Sequence, residues 1–229
     1  MLTGRVNSFQ SMGTLDGPGL RCVVFMQGCP LRCSCCHNPE TWDISGGTEY
    51  TSVQLFDKIY SFRNYIRDGG VTASGGEPLL QAKFLTELFE LCHKASLHTA
   101  LDTSGCIINA DVISLLEVTD LIILDYKMNN ADDYLKYTKC SIEKPERFLK
   151  LLDDMRKPVW LRQVHIPTIN SSDEDIRHFF DKAKEYSCVE KAELLPFRKL
   201  CLEKYRSMGI AFPFEDIPEA DESIRRIKS

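Results

Sequence analysis

Several features are missing from the sequence, and each absence excludes a class of protein. No segment approaches the roughly 18 unbroken apolar residues of a membrane helix, so no membrane association is expected. The first residues lack a basic region followed by an apolar run and a cleavage site, so we expect no secretory signal and a cytoplasmic location. The 28 basic and 33 acidic residues form no basic block, so a nucleic-acid partner is not expected. No repeat or flexible linker divides the 229 residues, which predicts one domain over residues 1–229.

Cysteine, by contrast, is abundant, with ten residues. Without an export signal, thiols or thiolate metal ligands are favoured over a disulfide framework. Six cysteines are scattered and are expected to be small buried apolar residues: Cys22, Cys92, Cys106, Cys140, Cys188 and Cys201. The other four fall within eight residues: Cys29, Cys33, Cys35 and Cys36. This second group is the feature that calls for a functional explanation.

Short apolar, β-branched runs alternate with segments of helical periodicity along the chain. Strands are predicted at 20–26, 69–74, 99–101, 121–124, 159–164 and 192–195. Helices are predicted from a cap at Ser52, over 80–92, 110–118 and 146–155, from a cap at Ser172, and over 199–207. About six strand–helix units of this length predict an α/β fold with a parallel sheet, either open or an incomplete barrel. In both arrangements ligands bind at the carboxyl ends of the strands.

The grouped cysteines lie in a loop, residues 28–38, directly after the first predicted strand. Cys29, Cys33 and Cys36 form a C-x3-C-x2-C pattern that offers three thiolates. An iron–sulfur cubane with three protein ligands keeps one iron open for another ligand. The alternative is a structural zinc site, which prefers C-x2-C pairs and four ligands and could recruit Cys35 and His37.

Polar residues also follow the later strands. The glycines of Gly75-Gly76-Glu77 let a backbone approach a ligand closely, and the glutamate could accept a hydrogen bond from an ammonium group. Acidic and hydroxyl residues at 102–104 and 125–127 could bind a cation or a ribose, although an ordinary loop is equally consistent with them. Arg162 interrupts an apolar strand, so its charge must be paired or face a polar cavity.

The C-x3-C-x2-C pattern followed by Gly-Gly-Glu-Pro resembles the radical S-adenosylmethionine (SAM) superfamily. Within it, the chain is similar to the enzymes that activate glycyl radical enzymes. The stretches that carry this likeness are GTLDGPGLR (13–21), CHNPETWD (36–43), GVTASGGE (70–77), LDTSG (101–105) and ELLPF (193–197). The likeness runs nearly end to end. It implies the radical SAM fold, a partial (β/α)6 barrel of the TIM type in a single domain.

The resemblance also implies a chemistry. Cys29, Cys33 and Cys36 would hold one [4Fe–4S] cluster, and reductive cleavage of SAM would give a 5′-deoxyadenosyl radical. The implied cofactor-binding residues are Cys35, His37, Gly75, Gly76, Glu77, Asp102, Ser104, Asp125, Lys127, Arg162 and Arg198. Asp102 and Thr103 would hold a monovalent cation, Na⁺ or K⁺. The chain departs from the family pattern twice, with Cys35 at a usually aromatic position and Arg198 where the family has histidine.

By the same resemblance the chain would be an oxidoreductase of anaerobic metabolism that acts on a protein. Asp16, Gly17, Pro18 and Gly19, together with His37, would receive the glycine-bearing loop of the partner. The expected partner is pyruvate formate-lyase, the expected reductant a flavodoxin or ferredoxin, and the expected state a monomer. The residues after the cysteine loop leave no room for a ferredoxin-like insert, so one cluster is expected. Three alternatives remain: an activator of a different glycyl radical enzyme, a radical SAM enzyme for a small molecule, or a metal-binding protein without catalysis.

Overall fold

The computed structural model describes residues 2–221 and 227–228. They fall into two compact units, which are described in turn. The first unit comprises Met1–Pro30, Thr41–Thr103 and Ile107–Ile123, and the second comprises Leu31–Glu40, Ser104–Cys106 and Leu124–Ser229. The chain crosses between the units inside the strand Leu121–Asp125. That the whole chain forms one domain stays a prediction.

Strands and helices alternate along most of the chain. The strands are β1 (Thr3–Gly13), β2 (Arg21–Met26), β3 (Thr48–Thr51), β4 (Gly70–Gly75), β5 (Thr99–Thr103), β6 (Leu121–Asp125), β7 (Val159–His165), β8 (Val189–Pro196) and β9 (Ile227–Lys228). The α-helices are α1 (Ser52–Tyr60), α2 (Ala82–Lys94), α3 (Ala110–Glu117), α4 (Ala131–Thr138), α5 (Glu143–Asp154), α6 (Asp173–Lys184) and α7 (Leu202–Ser207). Short 3₁₀ helices span Pro39–Thr41 and Pro78–Gln81. All six predicted strands are present, with ends shifted by a few residues.

In the first unit the strands lie in the order β3, β1, β2, β4, β5 and β6. β1 runs antiparallel to β2 and β3, whereas β2, β4 and β5 are parallel. β2 and β4 are buried along nearly their whole length, as expected for parallel strands that are covered on both faces. Helix α2 buries one face, made of Phe84, Leu85, Leu88, Phe89 and Cys92. These positions recur every three or four residues, as the sequence predicted.

Helix α1 corrects one prediction. Its N-cap is Thr51 and not Ser52, which is the first helical residue. The Thr51 hydroxyl accepts a hydrogen bond from the Gln54 main-chain N–H at 3.2 Å, and the Gln54 side chain accepts one from the Thr51 N–H at 2.9 Å. This reciprocal pair is a capping box. The cap at Ser52 was therefore wrong by one residue, because the glutamine partner three residues after Thr51 was overlooked.

In the second unit β7 and β8 are parallel and β9 is antiparallel to β8. Helix α6 begins after Ser172, as predicted, with a capping box to Asp175. The segment that follows α7 covers the end of β8, because the rings of Phe212 and Phe214 lie 6.3 and 6.0 Å from the ring of Phe197. This aromatic contact anchors the chain next to Arg198, one of the predicted site residues.

Four of the strands and α-helices were not predicted: β1, β3, β9 and α4. β1 alternates between buried and exposed positions and carries polar side chains, so it lacks the apolar run of a parallel strand. β3 has only four residues, two of them exposed. Helix α4 buries only Tyr134 and Thr138, so its apolar periodicity is too weak to detect.

The six scattered cysteines are all buried, as predicted. Burial raises the pKa of the Cys92 thiol to about 12 and that of Cys22 to about 11, so both stay protonated at neutral pH. No helix in the described part of the chain combines the length and the apolar character needed to cross a membrane.

Candidate functional site

In the first unit, three predicted site segments follow neighbouring parallel strands. Cys29 comes shortly after β2, Gly76 and Glu77 come directly after β4, and Asp102 is the next-to-last residue of β5. Because these strands are parallel, their carboxyl ends meet at one edge of the sheet. The structure thus brings these residues to the edge where such folds bind ligands, and their individual roles stay predictions.

The two glycines after β4 allow a close approach of two backbone segments. The Gly76 N–H donates to the Met26 carbonyl at 2.9 Å, and the Glu77 N–H donates to the Gly28 carbonyl at 2.8 Å. A Cβ atom at Gly76 would lie 2.2 Å from the Gly28 oxygen. Gly75 adopts a φ of 104°, in the region that favours glycine. The glycines therefore fix the Gly-Gly-Glu turn against the residues that lead into Cys29.

Glu77 is only 1% exposed, and a buried carboxylate must be hydrogen-bonded. It accepts from the Thr103 hydroxyl at 2.6 Å and from the Leu79 N–H at 3.1 Å. The neighbouring Asp102 accepts from the Ser74 hydroxyl at 2.7 Å. β4 and β5 thus hold two carboxylates in fixed orientations at the same sheet edge.

The predicted partner-binding residues, Asp16, Gly17, Pro18 and Gly19, lie at the other end of the strands. They precede β2, whose six residues put roughly 20 Å between its two ends at about 3.3 Å per residue. The structure therefore does not bring this loop to the edge that carries Cys29. Its role toward a partner stays a prediction.

Arg21, which sequence reasoning did not single out, fixes this loop. Its side chain is fully buried and donates to the Pro18 carbonyl at 3.1 Å and the Thr72 hydroxyl at 2.7 Å. The Thr72 hydroxyl in turn donates to the Asp16 carbonyl at 2.6 Å. Burial lowers the pKa of Arg21 to about 10. Main-chain carbonyls, including that of Val71 at 2.6 Å, take up the remaining donors of this buried cation.

In the second unit, the cysteine loop is hydrogen-bonded to the end of α4. The Arg32 N–H donates to the Thr138 carbonyl at 3.0 Å, and the Ser34 N–H donates to the Tyr137 carbonyl at 2.8 Å. The last carbonyls of a helix lack intrahelical partners, so the loop satisfies two of them. Within the loop, the Cys36 N–H donates to the Cys33 carbonyl at 3.1 Å, which holds these two cysteines in one turn.

A lysine lies beside this turn. Lys127 follows β6 and donates a short hydrogen bond to Asp125, with side chains that are 18% and 29% exposed. Desolvation lowers the pKa of Lys127, but the negative charges of Asp125, Cys33 and Cys35 raise it by more. The pKa of Lys127 therefore lies well above its usual value. Burial raises the pKa of Cys35 to about 11, against the effect of Lys127.

Two further predicted residues contact each other in the second unit. His37 Nε2 lies 2.9 Å from the Arg198 carbonyl, which accepts a hydrogen bond when this nitrogen carries the proton. Desolvation lowers the pKa of His37, and the hydrogen bond to Arg198 opposes it. The Arg198 guanidinium forms an ion pair with Glu219 at 3.3 Å. Sequence reasoning missed Lys204, whose ammonium bonds Asn38 at 2.7 Å and Glu40 at 2.5 Å.

Arg162 is paired, one of the two possibilities that its position in an apolar strand allowed. Its Nε lies 3.5 Å from Oε2 of Glu193, with side chains that are 8% and 1% exposed. Its main-chain carbonyl accepts from the Tyr126 N–H at 2.8 Å, which fixes Arg162 level with the end of β6. Ser104, which also lies in the second unit, is buried.

The cysteine loop has donors that suit an iron–sulfur cluster. Cys29, Cys33 and Cys36 are each partly exposed, and Lys127 lies close enough to Cys33 for the two groups to interact electrostatically. A zinc ion needs four ligands that converge on one point, whereas a cubane binds each cysteine through a different iron atom. Among residues 2–221, no three His, Cys, Asp or Glu side chains form a group that could hold a single metal ion.

Comparison with known proteins agrees with this site. Residues 15–141 match the family "4Fe-4S single cluster domain". The chain is 42% identical to the pyruvate formate-lyase-activating enzyme of Listeria monocytogenes, over 96% of this chain and 92% of that protein. It is also 42% identical to the enzyme of that name from Clostridium pasteurianum, over 99% and 95% of the two chains.

A solved structure shows the same fold. The crystal structure of a domain of a pyruvate-formate lyase-activating enzyme from Bacteroides vulgatus matches with a TM-score of 0.56 at 20% identity, over 68% of this chain and 88% of that one. This likeness confirms the predicted α/β fold class. Because it is 42% identical to these two relatives over nearly its full length and matches the 4Fe-4S family, the chain belongs to the pyruvate formate-lyase-activating enzyme family.

Proposed function

We propose that this chain activates pyruvate formate-lyase by generating a glycyl radical on it. The observation that carries the proposal is the 42% sequence identity to pyruvate formate-lyase-activating enzymes, over 96% and 99% of this chain. Cys29, Cys33 and Cys36 would hold a [4Fe–4S] cluster, which when bound would supply the electron for the reductive cleavage of SAM to methionine and a 5′-deoxyadenosyl radical. That radical takes one hydrogen atom from a glycine of the partner, which leaves 5′-deoxyadenosine and the glycyl radical.

The residues of this chain bind and orient SAM. Glu77, held by Thr103, accepts from the amino group of SAM at the carboxyl end of β4. Lys127 and Arg162 carry fixed positive charges suited to the SAM carboxylate. In this scheme Asp102 and Thr103 also bind a monovalent cation, since carboxylate and hydroxyl oxygens suit hard cations. Arg198 takes the position of the family's histidine and reaches SAM as a permanent cation.

The protein partners follow from the same proposal. The loop Asp16–Gly19 and His37 contact the glycine-bearing segment of pyruvate formate-lyase. A flavodoxin or ferredoxin reduces the cluster, and the chain acts as a monomer in the cytoplasm. No side chain is required as a general base, because a hydrogen atom and not a proton leaves the glycine. The main work of the protein is to position the reactants and to exclude water.

Anaerobic electron paramagnetic resonance (EPR) on the reconstituted, reduced protein with SAM and pyruvate formate-lyase tests the proposal. A glycyl radical doublet that grows as SAM is consumed is the expected result. A matched control uses Cys33→Ala, which removes one predicted ligand and should give no doublet. SAM cleavage without a doublet would refute pyruvate formate-lyase as the partner. It would favour another glycyl radical enzyme or a small-molecule substrate.

A further inference from the structure

A buried row of charges crosses the two parallel strands β7 and β8. Arg162 and Glu193 are partners in the strand register, and so are Trp160 and Lys191 two residues earlier on each strand. Residues two apart on a strand point to the same face, so the four side chains form one row. Glu193 Oε2 lies 3.5 Å from Arg162 Nε and 3.3 Å from Lys191 Nζ.

The row is graded from solvent to interior. Lys191 is 21% exposed and its ammonium lies 4.4 Å from the centre of the Trp160 ring, a cation–π contact. Glu193 and Arg162 beyond it are almost completely buried. A buried carboxylate is costly unless cations pair with it, and here two cations lie against one oxygen. Lys191, at the exposed end of the row, therefore contacts Glu193, and Glu193 in turn contacts Arg162.

The arginine end of the row lies beside predicted SAM residues. The Tyr126 N–H donates to the Arg162 carbonyl at 2.8 Å, and the Gln163 side chain donates to the Tyr126 carbonyl at 3.1 Å. Tyr126 stands between Asp125 and Lys127, so the backbone of β7 is locked to the segment that carries both. Glu193 contacts the Arg162 guanidinium from β8.

We propose that Glu193 is a positioning residue that holds the Arg162 guanidinium in the orientation that binds the carboxylate of SAM. The inference rests on the proposed use of SAM and adds a residue and a role to it. An ion pair that served stability alone could be replaced by packed apolar residues at no loss. An arginine has many rotamers, and fixing one of them before binding removes an entropy cost from binding. Lys191 contacts Glu193 from the solvent side, where it offsets part of the buried charge.

Glu193→Gln keeps the size of the side chain and removes its charge. We expect SAM to bind this variant about tenfold more weakly, which is the scale of the entropy cost of ordering one flexible side chain on binding. The measurement is anaerobic titration calorimetry of SAM into the cluster-reconstituted, unreduced protein, together with the KM for SAM and kcat. The KM should rise while kcat and the EPR spectrum of the reduced cluster stay near wild type.

The matched control is Lys191→Met, which removes the other cation at the same oxygen but keeps the pair with Arg162. Its SAM affinity should change by no more than about twofold, as for a partly exposed pair. In an Arg162→Lys background, Glu193→Gln should cost little more, because the group it orients is gone. If Glu193→Gln does not fold, Glu193→Asp keeps the charge but shortens the reach, and it should still weaken SAM binding at an unchanged melting temperature.

Two results would overturn the inference. One is wild-type SAM affinity in a folded Glu193→Gln protein. The other is a lower melting temperature with unchanged affinity, which would make the ion pair purely structural. A wild-type protein that does not bind SAM at all would instead refute the proposed function, so the two failures are distinguishable.

Discussion

Gly76→Ala tests whether the Gly-Gly-Glu turn depends on the close backbone approach seen in the structure. The new Cβ would lie 2.2 Å from the Gly28 oxygen, and real Cβ contacts stay above 3.0 Å, so the backbones must separate by at least 3.0 − 2.2 = 0.8 Å. That movement stretches the hydrogen bonds from Gly76 to Met26 and from Glu77 to Gly28, now 2.9 and 2.8 Å long.

The two hydrogen bonds contribute about 1 kcal/mol each, and the displaced backbone adds strain of about 1–2 kcal/mol. We therefore expect the free energy of unfolding to fall by roughly 2–4 kcal/mol and the melting temperature by roughly 5–12 °C. Urea unfolding and calorimetry of the same samples measure both. Iron and sulfide content after reconstitution should also fall, because the displaced Gly28 adjoins Cys29.

The control for this experiment is Gly46→Ala. Its Cβ would lie 2.9 Å from Nε2 and 3.3 Å from Cδ of the Gln27 side chain, and the nearest backbone atom, the Asp43 oxygen, is 3.7 Å away, so no backbone segment has to move. Its free energy of unfolding should change by less than about 1 kcal/mol. A Gly76→Ala protein as stable as Gly46→Ala, with full cluster content, would refute the reasoning.

Three further predictions concern the surroundings of the site. Cys92→Ala should keep the full iron content and lose about 1–2 kcal/mol of stability, because it leaves a small cavity. Cys33→Ala should lose the cluster. An iron assay that gives Cys92→Ala the lower iron content would mean that the ligands are misassigned. Burial raises the pKa of Asp120, but its hydrogen bonds, first that from the Thr99 N–H, outweigh this and leave the pKa below its usual value. The ionised Asp120 therefore stabilises the fold at pH values above the ordinary carboxyl pKa, and this contribution is lost as the pH falls through the lowered pKa. Asp120→Asn should cost about 1 kcal/mol at pH 7, after allowance for the 40% exposure of the side chain. Below about pH 4 the urea midpoint of this variant should depend less on pH than that of the wild type. Lys204→Met should cost less than about 1 kcal/mol but speed amide hydrogen exchange near Asn38, and unchanged exchange there would contradict a role in holding the loop.

The sequence predicted those parts of the fold that are buried on both faces. Strands such as β2 and β4 are continuous apolar runs because nothing in them faces water. β1 and α4 were not predicted, because β1 has a polar face exposed to solvent and α4 has a mostly polar surface. The same limit explains why the support of the cysteine loop by α4 was missed: main-chain carbonyls make that contact, and they leave no trace in side-chain patterns.

The candidate site shows a similar division. Residues that follow strands in short motifs, such as Cys33, Glu77 and Lys127, could be predicted from the spacing of the motifs and from the family resemblance, and their roles stay predictions. Glu193 was quoted only within a motif, since a single acidic residue in a strand does not reveal its partner on another strand. Arg21 was overlooked for the same reason, as its acceptors are the Thr72 hydroxyl on another strand and main-chain carbonyls.

The Gly-Gly-Glu turn can then be given a physical cause for each of its residues. Gly75 has a φ that favours glycine, and Gly76 has no space for a side chain. Glu77 is held by the Thr103 hydroxyl and the Leu79 N–H before any ligand arrives. The two glycines therefore position the backbone, and the glutamate is already oriented at the sheet edge. A carboxylate fixed in this way loses little entropy when it accepts from an ammonium group, so the packing of the turn is consistent with the proposed binding of the amino group of SAM by Glu77.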